Sequence, residues 1–249
     1  MIYIKSTQNY AGVSIYGDFF DFEALYDALH IVVGDEDEFI RYEQVRLRVL
    51  AVCYDIRHAL LGGRDIAFVE NGMDEGKMKS FSTITSDKNV YLCANVLWPE
   101  VLFVTMALND FISLYAQKLT KTNINFLMDK KLMWDAAIAQ VKGFQAAVIK
   151  CLKENVSDAA FRRTINLMSK DHTWFGGYAT QYLDLLNIRF LDMDVEKRKK
   201  NITIMAKRLA EYGQEYLEVK DEVERAAREY ECAVENISLV LDYPEDVDW

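Results

Sequence analysis

The sequence contains few residues that interrupt helices. Two prolines and eleven glycines are present among 249 residues. Both residue types are unfavourable inside a helix, and the turns that connect short strands use them heavily. Their scarcity argues against an all-β fold built from many short strands, and it favours long helices.

The sequence also lacks paired cysteines and a secretion signal. Its four cysteines are scattered, and none are spaced as CxxC. Residues 1–5 do not form the basic segment that precedes the apolar stretch of a signal peptide. Scattered cysteines in a chain without such a leader are typical of a reducing compartment. We therefore expect a cytoplasmic protein with free thiols.

No apolar run is long enough to cross a membrane. The longest apolar region, residues 90–108, is interrupted by Asn95, Pro99 and Glu100. A spanning helix needs about 20 predominantly apolar residues. The pattern instead predicts a buried strand followed by a buried helix, and no membrane association.

Positive charge is in deficit. The chain has 29 basic and 39 acidic residues, which gives a formal net charge of −10. Proteins that bind nucleic acid neutralise phosphates with Lys and Arg, and the one dense basic run here is residues 197–200. The balance disfavours direct binding of nucleic acid. Lys and Arg are interspersed through the acidic helices, which also disfavours an acidic mimic of nucleic acid.

The first hundred residues alternate between strand and helix patterns. Two short β-rich runs, at residues 2–5 and 13–16, predict a hairpin. Helical spacing predicts a helix from Asp21 to Val33, ended by Gly34, and a second helix from about Phe39 to Leu61. Further strands are predicted at about residues 66–70, 80–85 and 90–96. These elements form an antiparallel sheet of four or five strands with two inserted helices.

The remainder of the chain has helical periodicity. Pro99 suits a first helical position, and the run at residues 101–108 is apolar on every side, which predicts burial all round. We predict an α+β fold in which a small antiparallel sheet with inserted helices, residues 1–98, is followed by an all-α half, residues 99–249, with long C-terminal heptad-patterned helices. The two portions are expected to pack as one unit. Helices are expected at about residues 129–155, 158–168 and 178–188.

The last segment carries a heptad pattern. Two rows of positions seven residues apart begin at Val195 and Arg198, and thirteen of their fourteen positions are apolar or tyrosine. Such a pattern suits either a coiled coil between two chains or packing onto the chain's own helices, as in a bundle. Gly213 could split it. The predicted interaction stripe consists of Ile202, Met205, Leu209, Tyr212, Tyr216, Val219, Val223 and Tyr230.

Motifs for catalysis, metal binding or cofactor binding are absent. The sequence has no glycine-rich phosphate loop and no HExxH or CxxC metal motif, so no catalytic residue, metal or cofactor is predicted. Residues 169–178 are the best candidate for a binding loop, because an acid, an imidazole and large aromatic rings stand beside two glycines. The same loop could be a plain connector between helices. The candidate ligand-binding residues are Asp171, His172, Trp174 and Tyr178.

The N-terminal forty residues carry a set of hairpin and helix-packing positions: Thr7, Asn9, Gly12, Val13, Ile15, Gly17 and Asp18, followed by Leu25, Tyr26, Ala28, Leu29 and Gly34. In these positions the chain resembles an uncharacterised bacterial family that shares a domain of unknown function. The resemblance brings no activity, substrate or catalytic residue with it. It favours a bacterial or phage-related cytoplasmic protein.

These observations lead to one functional hypothesis and one alternative. The heptad stripe, the acidic charge and the lack of catalytic motifs favour a non-enzymatic interaction protein. It would bind a protein partner or itself through its C-terminal helices. The alternative is an enzyme or small-ligand-binding protein of unrecognised type, with a pocket near His172 and Trp174.

Overall fold

The computed structural model describes residues 1–120, 130–171, 178–211 and 213–249. Four strands form one antiparallel sheet in the order β1-β2-β4-β3. The strands are β1 (Tyr3–Ser6), β2 (Gly12–Gly17), β3 (Ile66–Glu70) and β4 (Lys88–Leu97). The helices are α1 (Phe19–Val33), α2 (Glu43–Leu60), α3 (Glu75–Ser80), α4 (Trp98–Leu119), α5 (Lys130–Met133), α6 (Ala136–Asn155), α7 (Asp158–Met168), α8 (Ala179–Leu191), α9 (Val195–Ala210) and α10 (Gln214–Glu229). The predicted α+β class is confirmed.

The N-terminal hairpin and the first helix form where the sequence predicts them, with one shift. Helix α1 begins at Phe19 rather than at Asp21, because Asp18 caps it: its carboxylate accepts a hydrogen bond from the backbone N–H of Asp21 at 2.9 Å. The Asp21 side chain in turn accepts from the N–H of Asp18 at 3.1 Å. This reciprocal pair is a capping box. Gly34 ends the helix with a φ of 75°, a conformation that glycine adopts at little cost.

The strand predicted at residues 80–85 is wrong. Asp74 accepts a hydrogen bond from the N–H of Lys77 at 2.8 Å and starts the short helix α3, which continues to Ser80. The N–H of Thr83 then donates to the carbonyl of Met78 at 3.0 Å. A local cap therefore prevails over β propensity, which has little force without a neighbouring strand.

The heptad-patterned segment is not one long helix. It is divided into α9 and α10, and Gly213 stands in an extended conformation at the start of α10. Helix α10 ends at Glu229, and Glu231 has a φ of 51°. The pattern positions beyond that point, including Ile237 and Val240, lie outside any α-helix. The predicted helix at about residues 129–155 is also interrupted, since Asp135 caps α6 separately.

Helix α4 lies at the centre of the core. Every residue from Val101 to Leu108 is buried, as the all-round apolar pattern predicts. One cluster of buried side chains includes Val13 and Ile15 of the sheet together with Phe144 of α6 and Leu209 of α9. Both portions of the chain therefore contribute to one core. Within the described residues, no helix combines the length and apolar character needed to cross a membrane.

Candidate functional site

The loop predicted to bind a ligand is described only at its two ends. Asp171 is exposed. The Tyr178 hydroxyl donates a hydrogen bond to Glu224 of α10, and burial together with this carboxylate raises the pKa of Tyr178 to about 12. His172 and Trp174 lie outside the described residues. Tyr178 therefore links the end of the loop to α10, and the proposed pocket beside this loop stays a prediction.

The interaction stripe faces the interior of its own chain. Six of its members are buried, and a seventh, Tyr230, is 72% exposed. Tyr212 lies outside the described residues. Packing of this face against the same chain accounts for its apolar character without a second chain. The buried members are Ile202, Met205, Leu209, Tyr216, Val219 and Val223.

A cavity of about 500 Å³ lies where the sheet meets α2 and α4. Cavities of this size are typical of small-molecule sites. Val247 and Trp249 near the C-terminus form part of its wall. Between them, the Asp248 carboxylate accepts a hydrogen bond from the Asn9 side-chain amide at 2.7 Å, and the Asp248 carbonyl accepts one from the Arg198 guanidinium at 3.3 Å. The lining residues are Asp55, Gly63, Arg64, Asp65, Cys93, Asn95, Val96, Leu97, Glu100, Val247 and Trp249.

A partly buried ionic cluster adjoins this cavity through Glu100. The guanidinium of Arg48 contacts Asp184 at 2.5 Å and Glu100 at 3.8 Å. The amide of Asn187 donates to Glu100 Oε2 at 2.8 Å, and the Tyr243 hydroxyl donates to Asp184 at 3.2 Å. The cluster thereby joins α2, α4 and α8 to the C-terminal residues.

Glu100 is the least satisfied member of this cluster. Its side chain is 12% exposed, and its Oε1 is buried without a hydrogen-bond partner among the described residues. Burial raises the pKa of the carboxyl, and the nearby Arg48 guanidinium opposes that rise. The sequence indicates only a first-turn acidic residue at this position. Its position next to an all-apolar helical run could have indicated that this carboxylate is buried, and a buried carboxylate needs polar or charged partners.

The cavity wall also contains a thiol and several polar side chains. Burial raises the pKa of the Cys93 thiol, so the thiol stays protonated, and the thiolate is the nucleophilic form. Asn95 accepts a hydrogen bond from the Ser14 hydroxyl at 2.7 Å. Asp55 forms an ion pair with Arg64 at 2.7 Å. These side chains place hydrogen-bonding groups and charges in the cavity wall.

A second feature extends from the rim of the cavity. We call residues 61–90 the arm: it comprises β3, α3 and the start of β4. None of its residues, all of which the structure describes, is buried. Exposed apolar patches of this kind mark interaction surfaces. Its exposed large apolar side chains are Leu61, Ile66, Phe68, Phe81, Ile84 and Val90.

The chain was compared with protein families, curated proteins and solved structures. No curated protein and no solved structure matches it. Residues 2–249 match the sequence profile of a family described as a domain of unknown function, DUF6904. The match extends the N-terminal resemblance over nearly the whole chain, and this protein therefore belongs to the DUF6904 family.

Proposed function

We propose that this protein is a non-enzymatic interaction protein that associates with a second copy of itself, and that the arm makes the contact. The observation that carries this proposal is the unpaired edge of β3, where the apolar side chains of Ile66 and Phe68 are exposed. The C-terminal helices, which the heptad pattern first suggested, are a weaker candidate because most of their apolar stripe is covered within the chain.

The backbone of β3 has one unpaired side. The N–H of Cys93 donates to the carbonyl of Asp65 at 2.9 Å. In the antiparallel register of β3 and β4, every second residue of β3 counted from Asp65 therefore directs its backbone N–H and C=O groups toward β4. Backbone groups of Ile66, Phe68 and Glu70 therefore point away from β4. No backbone hydrogen bond from another described segment reaches them. Such an edge is a template for pairing with another strand.

The sequence of β3 is complementary to itself. In an antiparallel pairing centred on Ala67, Ile66 of each copy lies opposite Phe68 of the other. If the pairing extends two residues beyond β3, the same register places Arg64, which is paired with Asp55 in its own chain, opposite Glu70 of the other copy. Apolar and opposite-charge cross-strand pairs each stabilise a sheet by roughly 0.2–1 kcal/mol. A contact that uses the same patch on both chains is the commonest form of dimer.

The charge of the arm also favours a second copy. The whole chain has a formal charge of −10, whereas residues 61–90 contain four basic and five acidic side chains. Two acidic molecules repel each other least where their facing surfaces are nearly neutral. The arm therefore offers a meeting surface at which like-charge repulsion is small.

Native mass spectrometry over a concentration series tests this proposal. We expect a dimer in the wild-type protein and at least a tenfold higher dissociation constant for Phe68→Glu, because the substitution places two carboxylates in the central pairing. Phe20→Glu is the matched control, since Phe20 is 75% exposed and Phe68 is 65% exposed. That control should leave the dimer unchanged.

Three results would contradict self-association through the arm. A wild-type protein that stays monomeric at every concentration excludes it. A dimer that is equally stable in Phe68→Glu assigns the contact to another surface. A dimer weakened equally by Phe20→Glu indicates a general effect of added negative charge.

A further inference from the structure

The cavity beside Glu100 carries excess negative charge. Four carboxylates, those of Asp55, Asp65, Glu100 and Asp184, lie in its wall or in the adjoining cluster, together with two guanidiniums, those of Arg48 and Arg64. Arg64 is paired with Asp55, and Arg48 is shared between two carboxylates. An entering cation would therefore be attracted, and an anion would be repelled.

Hydrogen-bond acceptors are left over at the inner end of the same region. Glu100 Oε1 and Asn187 Oδ1 are both buried without hydrogen-bond partners among the described residues. The two side chains are in contact, because the Asn187 amide donates to the other carboxylate oxygen of Glu100. A buried acceptor without a partner costs about 1–3 kcal/mol. Glu100 lines the cavity, so a ligand with an N–H group there could donate to this carboxylate.

Part of the cavity wall is apolar and aromatic. Val96 and Leu97 lie at the end of β4, and Val247 and Trp249 close the wall from the C-terminal residues. Apolar side chains favour a ligand that has a hydrocarbon body in addition to its charge. An indole ring also attracts cations through its π face.

We propose that this cavity binds a small organic cation, in which a primary ammonium group donates to Glu100 and an apolar body contacts the wall that Trp249 completes. Binding needs no covalent step. Arg64 belongs to the cavity wall and also to the proposed strand pairing, but the contacts that hold the ligand are made by Glu100 and Trp249, which lie apart from the β3 edge. The ligand site and the dimer contact can therefore fail independently, since one is measured as heat of binding and the other as mass.

Isothermal titration calorimetry with three related probes tests the site. Benzylamine carries the charge, the N–H donors and an apolar ring. Benzyl alcohol lacks the charge, and benzyltrimethylammonium lacks the N–H donors. We expect benzylamine to bind at least tenfold more tightly than either of the other two. Absence of benzylamine binding at millimolar concentration, or equal binding of benzyl alcohol, would overturn the proposal; equal binding of benzyltrimethylammonium would overturn the hydrogen bond to Glu100.

Two variants connect the binding to the named residues. Glu100→Gln keeps the size of the side chain and removes its charge, and we expect benzylamine binding to weaken at least tenfold. Asp65→Asn changes an exposed side chain, so it reports on the site even if Glu100→Gln fails to fold; here we expect about a threefold weakening. Asp27→Asn, an exposed change on α1, is the control. Affinity that is unchanged in the Glu100 and Asp65 variants would refute the site.

Discussion

Asp110 on α4 has an unusual environment for a carboxylate. Its Oδ2 atom is buried and has no hydrogen-bond partner among the described residues. Burial, with a smaller contribution from the negative charge of Asp171, raises the pKa of Asp110 to about 6. An unfolded Asp titrates near 3.9, so the folded protein holds this proton more tightly. The charged form of Asp110 is therefore disfavoured in the folded protein. The resulting loss of folding stability is complete above pH 6 and disappears as the pH falls towards 4.

We expect Asp110→Asn to stabilise the protein at pH 7.5 and to have little effect at pH 4. The amide removes the charge that burial disfavours, and a gain of about 1 kcal/mol is reasonable for a half-buried group after solvent screening. Urea denaturation at the two pH values measures it. Asp171→Asn should give a smaller gain in the same direction. An equal gain at both pH values would show that charge is not the cause.

Arg48 is the central residue of the ionic cluster that adjoins the cavity. Its guanidinium holds Asp184 and Glu100 and also donates to the carbonyl of Thr180 at 3.3 Å. A substitution of Arg48 would leave the charges of both Asp184 and Glu100 without their partner, which is unfavourable for groups that are largely removed from water. The more conservative Glu100→Gln change is for that reason the better probe of the cavity.

Among the individual elements, α1 depends on its cap. Asp18 and Asp21 satisfy each other's backbone N–H groups at the start of the helix. The helix then buries Phe22, Leu25 and Leu29 in the core. Because the cap fixes where the helix begins, it also fixes which side chains face inward.

We expect Asp18→Ala to lower the free energy of unfolding by about 1 kcal/mol, the usual cost of losing an N-cap side chain. Chemical denaturation followed by circular dichroism measures this change. Asp27→Ala lies on the exposed side of the same helix and should change stability by less than about 0.5 kcal/mol. Equal effects of the two substitutions would mean that the cap does not contribute.

The arm is the element in which local patterns predict least. The runs predicted as strands at residues 66–70 and 90–96 are found as β3 and β4, but the segment that connects them contains α3 in place of a strand. Alternating Ile66 and Phe68 resemble an amphipathic strand with a buried face. Both are exposed here because no other part of the described chain covers that face.

For the whole molecule, the C-terminal helices are integral to the fold. Leu209 of α9 is fully buried in the common core, whereas Leu217 of α10 is 42% exposed. Substitution of a buried leucine by alanine removes apolar contacts and leaves a cavity, at a cost of 2–5 kcal/mol. These two leucines provide a direct comparison of the covered and exposed sides of the heptad-patterned segment.

We expect Leu209→Ala to lower the free energy of unfolding by about 3 kcal/mol and Leu217→Ala to lower it by less than about 1 kcal/mol. Neither substitution should change the ratio of monomer to dimer in the native mass spectrum. Urea denaturation gives the first quantity. A dimer that dissociates in Leu209→Ala while the monomer stays folded would show that the heptad stripe forms the dimer interface.

Much of the fold is predictable because its determinants are local. The hairpin, the turn at Gly34 and the buried run at residues 101–108 each follow from neighbouring residues, and all three are found in the structure. The cavity was not predictable in this way. Arg48, Glu100 and Asp184 lie on three different helices, and no spacing in the sequence indicates that they meet.

The α+β class, the position of most elements and the apolar face of the last helices can all be read from the order of the residues. These properties follow from backbone conformation and side-chain periodicity within a few turns of chain. What that apolar face contacts depends on the three-dimensional packing of the chain, because hydrophobic burial is not directional and any apolar surface can satisfy it. The same packing decides that the β3 edge stays uncovered and that Glu100 borders a cavity, since both depend on which segments pack nearby.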